Sequence, residues 1–363
     1  MNRRKLRIGV IGGGHLGTIH TRLVRSIDDV ELIGVADPSP EARRRLADEF
    51  QVETFEDHRE LASKIDAAII AASTEHHYWI GMELAEAGVH LFVEKPITLS
   101  VAEADALIRA TASRNLVLQV GHVERFNPAF SAAATEVRKP WYIEAVRASG
   151  YTCRSVEVGV VHDLMIHDID LVLSLVRSEV VDVAATGMAV LGPHEDVAHA
   201  HLRFANGCIA SINASRTSFQ PQRAMHVYGN AVYAGIDFSA GTTKLIRASE
   251  PVRRGEIDVR KMSAEERQEL QTQFFTDIMP LEEVQLEKRN AILDEQHDFV
   301  ISIRSGQNPQ VTGVHGRDAL AVATSIIEKI DEQRAAMRKA SLLDLPQWNV
   351  ADGREPRPQR RAG

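Results

Sequence analysis

In the stretch Val161–Leu175, VHDLMIHDIDLVLSL, Asp163 and His167 stand four residues apart within a mostly apolar run. On a helix that spacing brings both side chains onto one face, one turn apart. An imidazole is the side chain whose ordinary pKa lies nearest neutrality, so His167 suits proton transfer. A carboxylate one turn away can orient that ring or hold a substrate hydroxyl. The pair fits oxidation of a secondary alcohol, in which one group takes the hydroxyl proton while a cofactor takes the hydride from the same carbon. A structural reading is also open, with Asp163 as a helix N-cap and His167 as a satisfied core histidine.

A place for the hydride acceptor occurs near the start of the chain. Gly12-Gly13-Gly14-His15-Leu16-Gly17 is a GxGxxG that follows an apolar run and opens a helical pattern. Gly12 permits a tight turn and Gly14 lets backbone N–H groups approach a pyrophosphate. Gly17 allows close helix–strand packing, and the helix start at His15 and Leu16 adds a partial positive charge. Asp37 lies twenty residues beyond Gly17, at the end of the next apolar run. It is placed to accept both ribose hydroxyls of an adenosine and to repel a 2′-phosphate, which favours NAD over NADP. The run Arg43-Arg44-Arg45 keeps NADP as the alternative. A glycine turn without a ligand is the bland reading.

A third candidate is Glu94-Lys95-Pro96, after the apolar run His90–Glu94. Ligands of open α/β sheets bind along the carboxyl ends of the strands, so a lysine there can touch the reacting end of a dinucleotide. Partial burial would lower its pKa into a useful range. A surface lysine before a loop proline is the competing reading. A cis Lys95–Pro96 bond would aim the lysine.

These residues need elements to hold them. Strand-like runs at Leu6–Gly12, Val30–Asp37, Ala67–Ser73, His90–Glu94 and Leu116–His122 alternate with helical patterns at His15–Ile27, Pro40–Phe50, His77–Ala87 and Val101–Ser113. Continuous apolar strands separated by helices predict a doubly wound parallel sheet, the Rossmann arrangement, over residues 1–125. Past Phe126 the rhythm changes. PWYIEAVRASGY reads as a strand leading to the Asp163–His167 helix, and later runs are punctuated by Asn206-Gly207 and Gly229-Asn230, signals of tight hairpins. Residues 126–345 are therefore expected to form an α/β domain on a large, open, mostly antiparallel sheet with helices on one side. The charged stretch from Ser249 to Gln285 reads as a surface excursion, and residues 346–363 as a disordered tail.

Composition narrows the classes. A formal charge of −8 argues against nucleic acid as the main partner. The two cysteines, Cys153 and Cys208, make neither a disulfide framework nor a metal cluster, and a reducing cytoplasm is expected. No metal site is expected. No run approaches the ~20 apolar residues that span a bilayer, so no membrane association is expected.

The glycine turn, HYWIGMELAEAGVHLFVEKP and VGHVERFNP together resemble the glucose–fructose oxidoreductase/inositol dehydrogenase (Gfo/Idh/MocA) family. The resemblance covers residues 6–335. It implies that Lys95 contacts both the nicotinamide ribose and the substrate, and that Glu94 stands with it at the cofactor. His77 matches the family's histidine before a helix, while Ala72-Ser73 stands where Thr-Pro is usual, so Ser73 and His77 are expected at the cofactor. Asp163 and His167 match the family's Asp-x-x-x-His, which makes Lys95, His167 and Asp163 the expected catalytic set. The family commonly forms homodimers or homotetramers through the open sheet face. GHVERFNP is similar to the branch that oxidises the 3-hydroxyl of UDP-N-acetylglucosamine or its uronic acid. It places His122, Arg125 and Asn127 as expected substrate contacts, although Arg125 can equally serve an interdomain ion pair. Inositol, polyol or free-sugar oxidation, a glycosidase with tightly held NAD, and a non-catalytic NAD-binding regulator are the alternatives.

Overall fold

The computed structural model describes residues 4–152 and 158–340; Cys153 and the 346–363 tail lie outside the described residues. Strand β1 (Leu6–Ile11) leads through the glycine turn to helix α1 (His15–Val24), β2 (Val30–Ala36) and α2 (Pro40–Phe50). A proline in its first turn and the Ser39 hydroxyl start α2, and left-handed Gln51 ends it. Then follow β3 (Thr54–Phe55), α3 (His58–Ala62), β4 (Ala67–Ile70), α4 (Thr74–Glu86), β5 (His90–Glu94), α5 (Val101–Ala112) and β6 (Leu118–Gly121). The six strands pair in parallel in the order β3-β2-β1-β4-β5-β6. The direction of winding changes between β1 and β4, which opens a crevice at the carboxyl edge. The strand-like apolar runs become these buried strands, with Ile8, Ile69, Ile70, Leu91 and Phe92 wholly out of water. Each such side chain contributes roughly 1.5–3 kcal/mol on burial. β3 and α3 are too short to show a period, and the sequence did not announce them.

A 3₁₀ turn at Val123–Phe126 leads into α6 (Pro128–Glu136) and β7 (Pro140–Ala148). A π-helical turn, Val161–Met165, runs directly into α7 (Ile166–Val176). Next come β8 (Val180–Met188), β9 (Val197–Phe204), β10 (Ile209–Ser215), β11 (Gln222–Gly229), β12 (Val232–Asp237) and β13 (Thr242–Arg247). The chain finishes with α8 (Glu250–Arg253), α9 (Ala264–Thr272), β14 (Leu281–Val284), α10 (Ala291–Ser305) and α11 (Gly313–Lys339). The second sheet has the order β14-β13-β12-β11-β7-β10-β9-β8 and is antiparallel apart from the β7–β10 pair.

Two local expectations need correction. Residues 249–285 are largely a surface excursion, since α8 and α9 bury nothing, but β14 rejoins the sheet beside β13. Leu-Glu-Glu-Val is too short and charged to read as a strand, whereas ladder pairing uses the backbone. In the second hairpin the left-handed residue is Ala231, at φ 62°, rather than a glycine. Gly229 serves packing instead: a Cβ there would lie 2.7 Å from Val137 Cγ1.

Helices cover one face of the second sheet, where Ile166, Ile169 and Val172 of α7 meet Ala200, Ile212, Met225 and Val227. The other face carries Tyr142, Tyr228 and Tyr233 in a ring cluster, with exposed Ile209 paired beside Tyr142. The halves are not sequential blocks. Phe299 and Val300 of α10 return to the first sheet and pack with Ile8 and Phe92. Among the described residues, no helix is long and apolar enough to cross a membrane.

Candidate active site

The glycine turn is tight in the way its sequence requires. Gly12 sits at φ 101°, and a Cβ there would lie 2.6 Å from the Ala72 amide nitrogen. A Cβ on Gly17 would lie 1.8 Å from the Gly12 carbonyl oxygen. Gly14 meets nothing within 4 Å and opens onto a cavity of about 550 Å³ lined by Asp37, Ala72, Ser73, His76 and Trp79. The start of α1, with His15 and Leu16, borders this turn. A dinucleotide fits such a place, because open backbone and a helix N-terminus face a cavity with an acid at its far wall. Asp37 Oδ2 accepts from Gly13 N at 2.6 Å and Oδ1 from Ser39 N at 2.8 Å, leaving each oxygen a further lone pair. Arg43 donates to the carbonyls of Asp37 and Pro38, and Arg45 to that of Gly13, so these guanidiniums are occupied by the protein itself. Gly17→Ala is expected to cost at least about 1–3 kcal/mol, since the clash is with backbone. Melting with and without dinucleotide should show a lower midpoint and no ligand-induced rise.

At the carboxyl end of β5 the Lys95–Pro96 bond is cis, as expected. Lys95 reaches across to the second half. Its Nζ donates to the Asp163 carbonyl oxygen at 2.8 Å and stands 3.7 Å from Asp163 Oδ1. The spacing predicted a regular helix through Asp163 and His167, but the structure has a π turn there, with Ile166 N donating to Val161 O. Such a turn widens the helix and re-aims its backbone groups, a device common at functional sites. It presents both the carbonyl and the carboxylate of Asp163 to Lys95, while His167 begins α7.

Three imidazoles feel the charge of this amine. His167 is half-buried, with Nδ1 out of water and unpartnered, and His122, after β6, is buried with neither ring nitrogen partnered. His162, in the π turn, has an unpartnered Nε2. Burial first, then the charge of Lys95, holds His167 well below 6.5. Burial also lowers His122 and His162. Lys95 is itself pushed below its ordinary 10.5 by burial, against the opposing pull of Asp163 and Glu94. The result is a pocket of neutral imidazoles with open lone pairs or N–H groups, arranged to meet a polar ligand.

Buried ion pairs support the site. Arg147 grips Asp168 through two bonds, at 2.8 and 3.1 Å, and reaches Glu124 at 2.9 Å. Arg125 grips Asp170 through two bonds of 2.7 Å. The expected substrate contacts therefore divide. His122 faces the site, whereas Arg125 is held by Asp170, and Asn127 caps α6 and donates to Glu124. A buried guanidinium needs a carboxylate, and the one it finds is distant in sequence. These pairs tie the 3₁₀ turn after β6 to α7 and β7, and so set the position of His167 against Lys95.

The expected cofactor residues divide in the same way. Ser73 lines the cavity. His77 is buried, its ring nitrogens 3.0 and 2.9 Å from the carbonyls of Pro96 and Ala72, so it braces the loops after β5 and β4 against each other. Glu94 bonds His20 Nε2 at 2.8 Å and accepts from Lys95 N at 3.1 Å, which fixes the lysine's backbone. His20 continues to Gln296 of α10 at 2.8 Å. His20, Gln296, Arg147 and His162 escaped sequence reasoning because their partners are remote and no local spacing marks them.

Glu295 belongs to the same buried cluster, with both carboxylate oxygens unpartnered. Burial and then the charge of Glu94 raise its pKa well above 4.5. The folded state therefore holds a proton that the unfolded state releases above about 4.5. Stability contributed here is fullest at acid pH and falls by about 1.4 kcal/mol per pH unit until the folded pKa is reached. Glu295→Gln is expected to remove that slope and be more stable than wild type at pH 8. Denaturant midpoints at pH 6 and 8 that move identically in both proteins would contradict a neutral Glu295.

A parallel sheet with a glycine turn at its switch point, and a largely buried lysine bonded across the crevice to the turn that leads into His167, define a nicotinamide-dependent oxidoreductase. Residues 6–122 match the family model described as oxidoreductase family, NAD-binding Rossmann fold, and residues 119–233 match the GFO/IDH/MocA C-terminal domain. The chain belongs to the Gfo/Idh/MocA family and is a dehydrogenase of sugar-like alcohols. It is 34% identical over 322 residues to the UDP-N-acetylglucosamine 3-dehydrogenase of Acidithiobacillus ferrooxidans, covering 88% of this chain and 96% of that protein. A solved structure of that enzyme superposes with a TM-score of 0.80 at 33% identity, over 91% of this chain and 99% of that one. The myo-inositol 2-dehydrogenase of Thermotoga maritima is 26% identical, over 91% of this chain and 98% of that protein.

Proposed function

We propose that this enzyme uses NAD to oxidise the 3-hydroxyl of a UDP-N-acetylhexosamine. The observation that carries the reaction is the bond from Lys95 to Asp163, which joins the cofactor half to the turn that delivers His167. Similarity to the Acidithiobacillus enzyme supports the substrate. Bound NAD supplies the hydride acceptor. His167, kept neutral by burial, takes the hydroxyl proton. Lys95 stabilises the developing alkoxide, and Asp163 holds its ammonium in place. His122 offers a second hydrogen bond to the sugar. Arg147, Asp168, Arg125 and Asp170 position these groups without touching the sugar.

Asp37 and the occupied Arg43 and Arg45 favour NAD over NADP. Asp37→Asn keeps an acceptor for Gly13 N but removes the charge. It is expected to raise the NADP/NAD ratio of kcat/KM by about tenfold, as loss of roughly 1.4 kcal/mol of repulsion would give. An unchanged ratio would refute the NAD assignment.

The function is tested by offering UDP-N-acetylglucosamine, other UDP-sugars, inositols and free sugars with NAD and following NADH absorbance. UDP-N-acetylglucosamine is expected to be preferred. NADH from inositols alone would establish the second reading, which the Thermotoga relative supports. Cofactor retained through purification with no net NADH would instead indicate a glycosidase. A regulator without turnover is disfavoured because Lys95, Asp163 and His167 are all present and assembled. The Tyr142–Tyr228–Tyr233 face is proposed to carry a second copy of the chain, so light scattering should give a dimer or tetramer mass.

A further inference from the structure

Strand β7 ends at Ala148 between β11 and β10, and Arg223 of β11 pairs directly opposite Arg147. Opposed residues on antiparallel strands share a face. Arg223 shares the parity of the buried Met225 and Val227, so it lies on their face of the sheet, exposed at the start of β11. Arg147 is neutralised by Asp168 and Glu124, but the Arg223 side chain makes no ion pair or hydrogen bond among the described residues. Arg147 bonds Asp168, the chain neighbour of His167, so the strand register sets Arg223 on the strand beside that ion pair.

The segment linking β10 to β11 arches over the end of β7. It is pinned rather than slack: Ser218 N donates to Ser149 O at 2.9 Å, Ser149 N to Ser215 O at 2.8 Å, and Arg216 Nε to Asp196 at 2.6 Å. At its crest Phe219 is 96% exposed, a ring held in water by an anchored loop. An unpaired guanidinium and an uncovered aromatic ring thus stand four residues apart in sequence, beside the end of β7.

We infer that Phe219 and Arg223 form the nucleotide subsite, Phe219 stacking on the base and Arg223 binding the diphosphate. This rests on the reading of the substrate as a nucleotide sugar. The match is chemical, since a base offers a π-face and a diphosphate suits a guanidinium fork. A neutral inositol offers neither.

The test uses the full-length protein with NAD, UDP as probe in calorimetry, and UDP-N-acetylglucosamine in turnover. Phe219→Ala should weaken UDP binding and raise KM about tenfold, with kcat within about twofold, and Phe219→Trp should restore both. Arg223→Gln should weaken UDP by about tenfold or more and flatten the salt dependence of its binding. Phe219 faces water, so its variants test the subsite even if Arg223→Gln fails to fold. Unchanged UDP affinity in Phe219→Ala overturns the subsite, as does a changed oligomeric mass with unchanged affinity, which would assign the ring to a contact between copies. If both variants weaken UDP but no UDP-sugar yields NADH, the subsite stands and the proposed oxidation of a UDP-sugar falls. If UDP-N-acetylglucosamine yields NADH with an unaltered KM in both variants, the reaction stands and the subsite falls.

Discussion

Lys95→Ala is expected to lower kcat by about 10³-fold or more, while NAD binding stays within several-fold. The magnitude is that of losing a positioned group that stabilises charge in a dry site. The binding half of the prediction follows from geometry. The glycine turn and Asp37 hold the adenosine end, whereas the Lys95 amine points across the crevice to Asp163. His167→Ala is expected to do similar damage through loss of the proton acceptor. Stopped-flow NADH formation with dinucleotide titration separates the two effects, and near-normal turnover in both variants would refute the assignment. The pH profile adds a check. Lys95 is lowered from 10.5, so its titration should shape the alkaline part of kcat/KM. His167 lies well below 6.5 and should produce no step at the ordinary histidine value. A His167-dependent step near 6.5 would show an imidazole far less buried than this one.

Asp170→Ala is expected to destabilise the protein by about 3–5 kcal/mol, the usual penalty for leaving one member of a buried ion pair uncompensated. Arg125 and Asp170 are both almost wholly out of water, and their two 2.7 Å bonds link the turn after β6 to α7. Activity should fall with stability, because α7 carries His167. Replacing the pair together, Arg125→Met with Asp170→Leu, should recover much of the lost stability without restoring full turnover. That split distinguishes a positioning pair from a purely structural one. Denaturant midpoints for the three variants measure the first effect, and kcat at saturating substrate the second. A single-variant loss under about 1 kcal/mol would mean that water relieves Arg125.

Much of the nucleotide half was legible before any coordinates. Apolar runs with helical patterns between them are local properties, and the GxGxxG turn, Asp37 and Lys95 lie at fixed places relative to those runs. The class of the second sheet and its first hairpin were legible for the same reason, with Gly207 at φ 87° in the turn. What local patterns could not carry was pairing across the chain. For Arg125 the sequence left substrate binding and an interdomain ion pair equally open, and folding delivers Asp170 to it, while Asn127 caps α6. His77 and Glu94, expected at the cofactor, also hold protein partners that no local pattern marks. The π turn at Val161–Met165 was invisible because one shifted hydrogen bond leaves the residue pattern unchanged.

The sequence by itself determined the parallel sheet, the cofactor turn and the residue types able to move a proton and a hydride, because short-range sterics and burial patterns act within a few residues. Only the tertiary structure decided which of those residues stay open to a ligand and which become braces, because that depends on whether a charge or hydrogen-bonding group from elsewhere in the chain arrives to satisfy them.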